Sequence, residues 1–222
     1  MLDDAVRSFA VASLPPPPAR VLEVGAGEGE LALVLACAGY EVLAIDPASR
    51  SEHVRPVALH ALREPPGSFD AAVAVVSLHH VEPLRESCRR LAEVLRDGAT
   101  LVLDEIDVAR FDERAAGWWL EQRGLRRDEP HWHDPHRHDP RWHAPGTPSE
   151  IVAWMRHHLH DLGTIQGALV EWFELGPPVH GPYLYRWELS PELRGAEEAL
   201  IAAGRVPAVG VRLVGTRRPG RA

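Results

Sequence analysis

Val21-Leu-Glu-Val-Gly-Ala-Gly-Glu-Gly-Glu30 is an apolar run that breaks into three alternating glycines. Glycine accepts positive φ and leaves room for a ligand against the backbone, so a strand running into Gly25, Gly27 and Gly29 reads as a turn that presses on a bound nucleotide. The flanking residues complete the unit. Leu31-Ala-Leu-Val-Leu-Ala-Cys-Ala38 has the character of a covered helix, and Gly39 supplies its stop. Tyr40-Glu-Val-Leu-Ala-Ile45 reads as a second strand finishing on Asp46. A carboxylate about 20 residues beyond the glycines, at the carboxyl end of the following strand, has the spacing of a ribose contact. Strand, helix and strand predict a parallel βαβ unit that offers a loop and an anion.

What the loop lacks narrows the ligand. A dinucleotide fingerprint needs a small third residue for close helix packing, and that position is Glu30. A phosphate-binding P-loop needs a lysine after its glycines, yet all 24 basic residues are arginine, which also excludes a Schiff-base lysine. Glu23 leads the loop and Glu28 lies inside it. Two carboxylates there repel phosphates and favour a cationic ligand. S-adenosylmethionine, with an ammonium and a sulfonium, has that chemistry.

These residues resemble the class I S-adenosylmethionine-dependent methyltransferases, in the small-molecule branch whose first motif reads roughly (V/I)-L-(D/E)-x-G-x-G-x-G. The match is close from Val21 to Gly29. Ser68-Phe-Asp-Ala-Ala-Val-Ala-Val-Val-Ser-Leu-His-His-Val81 is similar to the family's fourth strand and the active-site loop after it. Leu91-Ala-Glu-Val-Leu-Arg-Asp-Gly-Ala-Thr-Leu-Val-Leu103 resembles the turn before the fifth strand and that strand itself, with Asp97-Gly98-Ala99 where relatives usually carry Pro-Gly-Gly. The resemblance covers roughly residues 20 to 106. Relatives often place an acidic residue near the adenine amino group after their third strand; here Leu59-His-Ala-Leu-Arg-Glu64 puts His60 and Ala61 near that position, with Glu64 further on.

The resemblance implies a Rossmann-like α/β fold: a seven-stranded, mostly parallel sheet with helices on both faces and an antiparallel edge strand. It implies S-adenosylmethionine held by Glu23, Gly25, Ala26, Gly27 and Gly29, with Asp46 and Pro47 at the ribose, His60 and Ala61 at the adenine, and Ser77 and Leu78 bordering the methyl group. His79 and His80 follow an inner strand, where ligands gather in open α/β sheets. Either could take a proton from an acceptor, an effect of about 10²- to 10⁴-fold. A plain structural role is the equal alternative, with one ring hydrogen-bonding a backbone carbonyl and the other touching the cofactor's methionine or adenine end.

Bulk properties point to one domain. The 222 residues are 45% hydrophobic with a net charge of −8, no apolar run is long enough to span a membrane, and the first residues lack a basic, apolar leader. A cytoplasmic protein is expected. The negative charge and the lack of a basic cluster argue against nucleic acid as substrate, leaving a small-molecule acceptor. Cys37 and Cys88 both fall on apolar helix faces, where thiols act as small hydrophobes. The absence of lysine with abundant Ala, Arg, Gly and Pro suggests a GC-rich bacterial coding bias.

Helices are expected over the first 14 residues, stopped by Pro15-Pro-Pro-Pro18, and over 83–96 and about 112–126. Repeated Asp-Pro steps make 128–148 a loop, after which Thr147-Pro-Ser-Glu150 reads as a capping box with proline at the first helical position. Strands are expected at 168–174, 182–187 and 209–214, with a helix from Ser190 to Gly204. The whole chain, 1–222, is thus one domain carrying a His/Pro-rich lid insertion at about 111–165.

Five of the 13 histidines lie between His131 and His143, beside Asp134, Asp139, Trp132 and Trp142. A metal site built from His131, His133, His136 and His138 is one reading, but no Cys-x-x-Cys or His-Glu-x-x-His accompanies them. No metal is expected; the preferred reading is a polar lid whose rings line or cover an acceptor pocket or simply face solvent, with Trp132 and Trp142 either closing on an apolar or planar acceptor or serving, equally, as packing anchors. Two further alternatives are a cofactor-binding or regulatory protein without turnover and, against Glu30, a nicotinamide-dependent oxidoreductase.

Overall fold

The computed structural model describes residues 3–124 and 146–220. The expected lid residues His131, Trp132, His133, Asp134, His136, His138, Asp139, Trp142 and His143 lie outside the described residues. In chain order the elements are α1 (Asp4–Ser13), β1 (Arg20–Val24), α2 (Glu30–Cys37), β2 (Glu41–Ile45), β3 (Phe69–Val75), α3 (Leu84–Val94), β4 (Leu95–Ile106), α4 (Glu113–Gly124), α5 (Pro148–His158), α6 (Leu162–Leu169), β5 (Phe173–Leu175), β6 (Val179–Gly181), α7 (Arg194–Ala202) and β7 (Gly210–Arg217). The chain forms two compact units. The first comprises 1–105, 162–179 and 211–222, and the second 106–161 and 180–210. The second unit draws on two stretches of chain.

The first unit carries the sheet, in the order β2-β1-β3-β4-β7-β5, with the short β6 beside β7 off this path. β1 runs parallel to β2 and β3, β3 parallel to β4, and β5 antiparallel to β7. Alternation along the inner strands sends side chains to two covered faces, as a parallel sheet requires. Leu22, Val24, Ala72 and Ala74 pack with Leu84, Cys88 and Leu91 of α3 and with Ile165 and Leu169 of α6. Val21, Ala71 and Val73 pack with Ala10 of α1 and with Leu31 and Leu35 of α2. Val24 pairs with both Ile45 and Ala74, so the carboxyl ends of β1, β2 and β3 finish level and deliver Gly25, Asp46 and the residues after Val75 to one place. Cys88 is buried as expected, whereas Cys37 is exposed and both thiols are free.

Three local readings change. The family's third strand is reduced to a single bridge between Ile45 and Arg55, so the stretch resembling a fourth strand is β3 here. Pro47, Pro56 and the polar run between them leave too few ladder donors and apolar side chains for a strand. Residues 168–174 are mostly not strand: Leu162, Ile165 and Leu169 recur at helical spacing and are buried on α6, leaving Phe173–Leu175 as β5. Residues 182–187 form a 3-10 turn over Leu184–Arg186, because the buried Glu197 carboxylate takes the N–H groups of Tyr183, Leu184 and Tyr185 at 2.8, 3.0 and 2.9 Å. Donors held by that carboxylate cannot join a ladder.

The second unit is built on α4, α5 and α7. Trp119 of α4 stacks on Trp187 with centroids 4.5 Å apart and donates from Nε1 to the Trp187 carbonyl at 2.7 Å. The capping box at Thr147 and Glu150 opens α5 as the sequence indicates. The helix stops at His158, and α6 begins separately at Leu162.

Candidate cofactor site

Each of the three glycines at the end of β1 answers a different constraint. Gly25 has φ +69°, and a Cβ there would sit 2.2 Å from the Ser77 Cβ. Its N–H and that of Ala26 both donate to the Ile45 carbonyl, at 2.9 and 3.1 Å, which folds the turn over the end of β2. Gly29 has φ +87° and leads into α2; a Cβ there would meet Val54 Cγ2 at 2.9 Å. Gly27 is also left-handed, at φ +54°, but nothing lies within 4 Å of where its Cβ would be. The first and last glycines are therefore packing requirements, and the middle one faces open space.

Two carboxylates border that space. Asp46 accepts from the N–H of Gly27 at 3.0 Å and of Ala48 at 2.8 Å, so it clamps the turn to the start of the next loop. A carboxylate offers roughly four acceptor positions, and Asp46 is only half-buried, which leaves capacity for a ribose hydroxyl. Pro47 follows it, exposed. Glu23 is 4% exposed, and its Oε2 is buried without a hydrogen-bond partner. Burial pushes its carboxyl up to about 8; an N–H donated by Ala32 opposes that shift, and the nearby Asp46 charge reinforces it. A buried carboxylate oxygen with no donor is costly unless something arrives to pair it. The ammonium of an amino-acid moiety is such a group.

On the adenine side, His60 and Ala61 fall in a 3-10 turn over Leu59–Ala61. Ala61 N–H is taken by the Ala58 carbonyl at 3.0 Å, while His60 Nδ1 is buried without a partner. Glu64 is bound to Arg20 at 3.2 Å and Arg55 at 2.7 Å, and the Arg55 hydrogen bond leads in holding its carboxyl below the usual range. That carboxylate is already paired within the protein.

The loop after β3 opens on Val76, a β-branched residue at φ +50°, whose N–H donates to the Asp104 carbonyl at 2.8 Å. Ser77 Oγ donates to the Val24 carbonyl at 2.9 Å, and the Leu78 side chain is fully buried in the core. Glu105, near the end of β4, takes three donors: Ser77 N–H at 2.9 Å, Leu78 N–H at 2.6 Å and His79 Nδ1 at 2.6 Å. The His79 and Glu105 side chains are each 1% exposed. His80 is exposed, its ring 4.2 Å from that of His79. Glu105 escaped the sequence reading; the only signal was an Asp104-Glu105 pair closing the apolar Leu101-Val-Leu103.

The second unit holds another pair that sequence reading missed. His180 Nε2 and Asp107 Oδ2 are 2.9 Å apart, an arrangement that fixes an imidazole by one ring nitrogen. Among the described residues no three His, Cys, Asp or Glu side chains gather as a metal would require. No described helix is long and apolar enough to cross a membrane.

A mostly parallel sheet with a glycine turn after β1, an acidic residue just after β2 and a buried carboxyl with one unpaired oxygen behind the turn fits a class I, S-adenosylmethionine-dependent methyltransferase. A family model described as a methyltransferase domain matches residues 2–157, and the chain belongs to that family. It is 31% identical over 182 residues to a ubiquinone biosynthesis O-methyltransferase of Xanthomonas campestris pv. campestris, covering 73% of this chain and 71% of that one. An S-adenosylmethionine-dependent methyltransferase from Mesorhizobium loti superposes with a TM-score of 0.56 at 18% identity, over 93% of this chain and 95% of the other. The cyclase SpnF superposes with a TM-score of 0.57 at 18% identity, over 97% of this chain and 80% of the other. At that identity the structural likeness speaks for the fold alone, and a cyclase among such neighbours illustrates that one fold carries several chemistries.

Proposed function

We propose that this methyltransferase transfers its methyl group to a hydroxyl of a small-molecule acceptor by in-line displacement, and that His80 receives the acceptor's proton. The observation that carries the cofactor assignment is Glu23: a buried carboxylate with one unpaired oxygen, behind a glycine turn whose middle residue faces open space. The assignment of a hydroxyl acceptor rests on the O-methyltransferase relative.

Bound S-adenosylmethionine supplies an electrophilic methyl group on a sulfonium. Such a displacement needs alignment and desolvation more than a nucleophilic side chain. In this reading Glu23 ionises to receive the ammonium, and Gly25, Ala26, Gly27 and Gly29 shape the turn. Asp46, followed by Pro47, takes the ribose hydroxyls, while His60 and Ala61 border the adenine. His60 can offer Nδ1 to it, a group with no partner otherwise. Ser77 and Leu78 hold the backbone next to the reacting centre. Of the two adjacent histidines, His80 is exposed and can meet an acceptor, whereas His79 is buried against Glu105. The same proposal makes the chain one catalytic domain with acceptor choice vested in about 111–165, and places it in the cytoplasm with no nucleic-acid substrate, consistent with its charge of −8.

The test is incubation with methyl-labelled cofactor and a panel of phenols, catechols, amines and thiols, following label in the extracted acceptor. Label on hydroxyl acceptors, lost in Asp46→Ala, is expected. Label confined to amines or thiols would refute the hydroxyl assignment, and no transfer to any acceptor by protein that binds the cofactor would favour a binding role.

A further inference from the structure

We propose that Glu105 is a positioning residue for the cofactor site, setting the glycine turn through Ser77 without touching the cofactor. The inference rests on the cofactor reading above and adds a residue to it.

The chain of contacts runs within one unit of the molecule. The pairing of Val75 with Asp104 puts the next residue of β4, Glu105, beside the point where the chain leaves β3. Its Oε1 then takes two successive backbone N–H groups, those of Ser77 and Leu78, and its Oε2 takes His79 Nδ1. Three donors on one buried carboxylate satisfy it and fix three consecutive residues. The fixed residues follow Val76, whose left-handed backbone persists only when its surroundings impose it.

Ser77 transmits that position to the turn in two ways. Its hydroxyl donates to the carbonyl of Val24, the last residue of β1. Its Cβ occupies the space next to Gly25 that any larger residue would need, 2.2 Å from an added Cβ. A shift of Ser77 by a fraction of an ångström therefore either opens a gap at Gly25 or loses the Val24 bond. Gly27 N–H, the donor that Asp46 clamps, lies two residues further along the same turn. Glu105 thus acts on the cofactor site through a link of two contacts, and His79 serves as its third donor.

The test is calorimetric titration with S-adenosylhomocysteine, with melting temperature read on the same samples. Glu105→Ala should raise the dissociation constant at least 10-fold and raise the KM for S-adenosylmethionine far more than it lowers kcat. Ser77→Ala, which keeps the Glu105 contacts but cuts the Val24 bond, should weaken binding about 3-fold, and the double variant should lose less than the product of the two, because both act in one chain. Glu105→Gln should restore binding to within about 3-fold, since an amide oxygen still accepts both N–H groups and its NH2 can donate to the other tautomer of His79.

Wild-type affinity in folded Glu105→Ala would overturn the proposal, as would equal loss in the Ala and Gln variants. If Glu105→Ala does not fold, unchanged affinity in Ser77→Ala overturns it. Asp46→Ala serves as the control: undiminished affinity there means that the cofactor reading has failed, whereas loss there without loss at Glu105 means that only this inference has.

Discussion

At the turn after β1 the carboxylates hold acceptor capacity in reserve: Glu23 keeps a buried oxygen unpaired, and Asp46, half-buried, spends one bond on each of two N–H groups. At the loop after β3 both Glu105 oxygens are engaged, by three donors in all, and the side chain is 1% exposed, so no oxygen is left without a partner. The two loops touch through Ser77 and Gly25, yet one is built to accept a ligand and the other to stay in place. Incomplete satisfaction marks the binding surface, and complete satisfaction marks its support.

The largest effect expected from breaking this division is at Gly25. Gly25→Ala adds a Cβ into the Ser77 side chain in a left-handed backbone; overpacking and strain together should cost about 3 kcal/mol, a Tm loss of roughly 6–12 °C, and abolish cofactor binding. Gly27→Ala meets no neighbour. It should cost only about 1–2 kcal/mol of stability while weakening S-adenosylhomocysteine binding at least 10-fold. Equal melting losses in the two variants, read by thermal unfolding, would erase the distinction between a packing glycine and a binding glycine.

The histidines sharpen the same contrast. His80→Gln should lower kcat by about 10²-fold or more at neutral pH, the lower end of the contribution of a general base, with the loss shrinking as pH rises if hydroxide replaces the imidazole. His79→Gln should act mainly on stability. A pH–rate profile unchanged in His80→Gln would show that the acceptor's proton goes elsewhere than His80.

A smaller effect is expected from Glu23, and it depends on pH. Its folded value near 8 lies above its ordinary 4.5, so the protonated carboxyl favours the folded state fully below about pH 4.5, and that contribution is lost as pH rises through 8. Glu23→Gln should therefore gain several degrees of Tm over the wild type at pH 8.5 and little at pH 5.5. Because the ammonium of the ligand favours the ionised form, binding near pH 7 should release a proton. Calorimetry in buffers of different ionisation enthalpy reads that release, and its absence would place the ammonium elsewhere.

The glycine turn was legible in the sequence because its constraints are local. Positive φ at Gly25, Gly27 and Gly29, and the distance to Asp46, are set within one βαβ unit. The capping box at Thr147 was legible for the same reason. Glu105 was not, because its partners lie 26 to 28 residues away and are selected by the register of β3 on β4. His180 and Asp107 are 73 residues apart, and nothing in their local sequence links them. The stretch at 182–187 looks like a strand until Glu197, from α7, removes three of its donors. Local periodicity cannot register a distant side chain that captures backbone groups.

The central claim is that the turn after β1 binds S-adenosylmethionine with Asp46 on the ribose. Calorimetric titration of the wild type and Asp46→Ala with S-adenosylhomocysteine tests it most directly. Stoichiometric binding by the wild type is expected, weakened by roughly 1–3 kcal/mol in the variant, the loss of a charge-assisted hydrogen bond. Equal affinity in both proteins, or no binding by folded wild type, would contradict it.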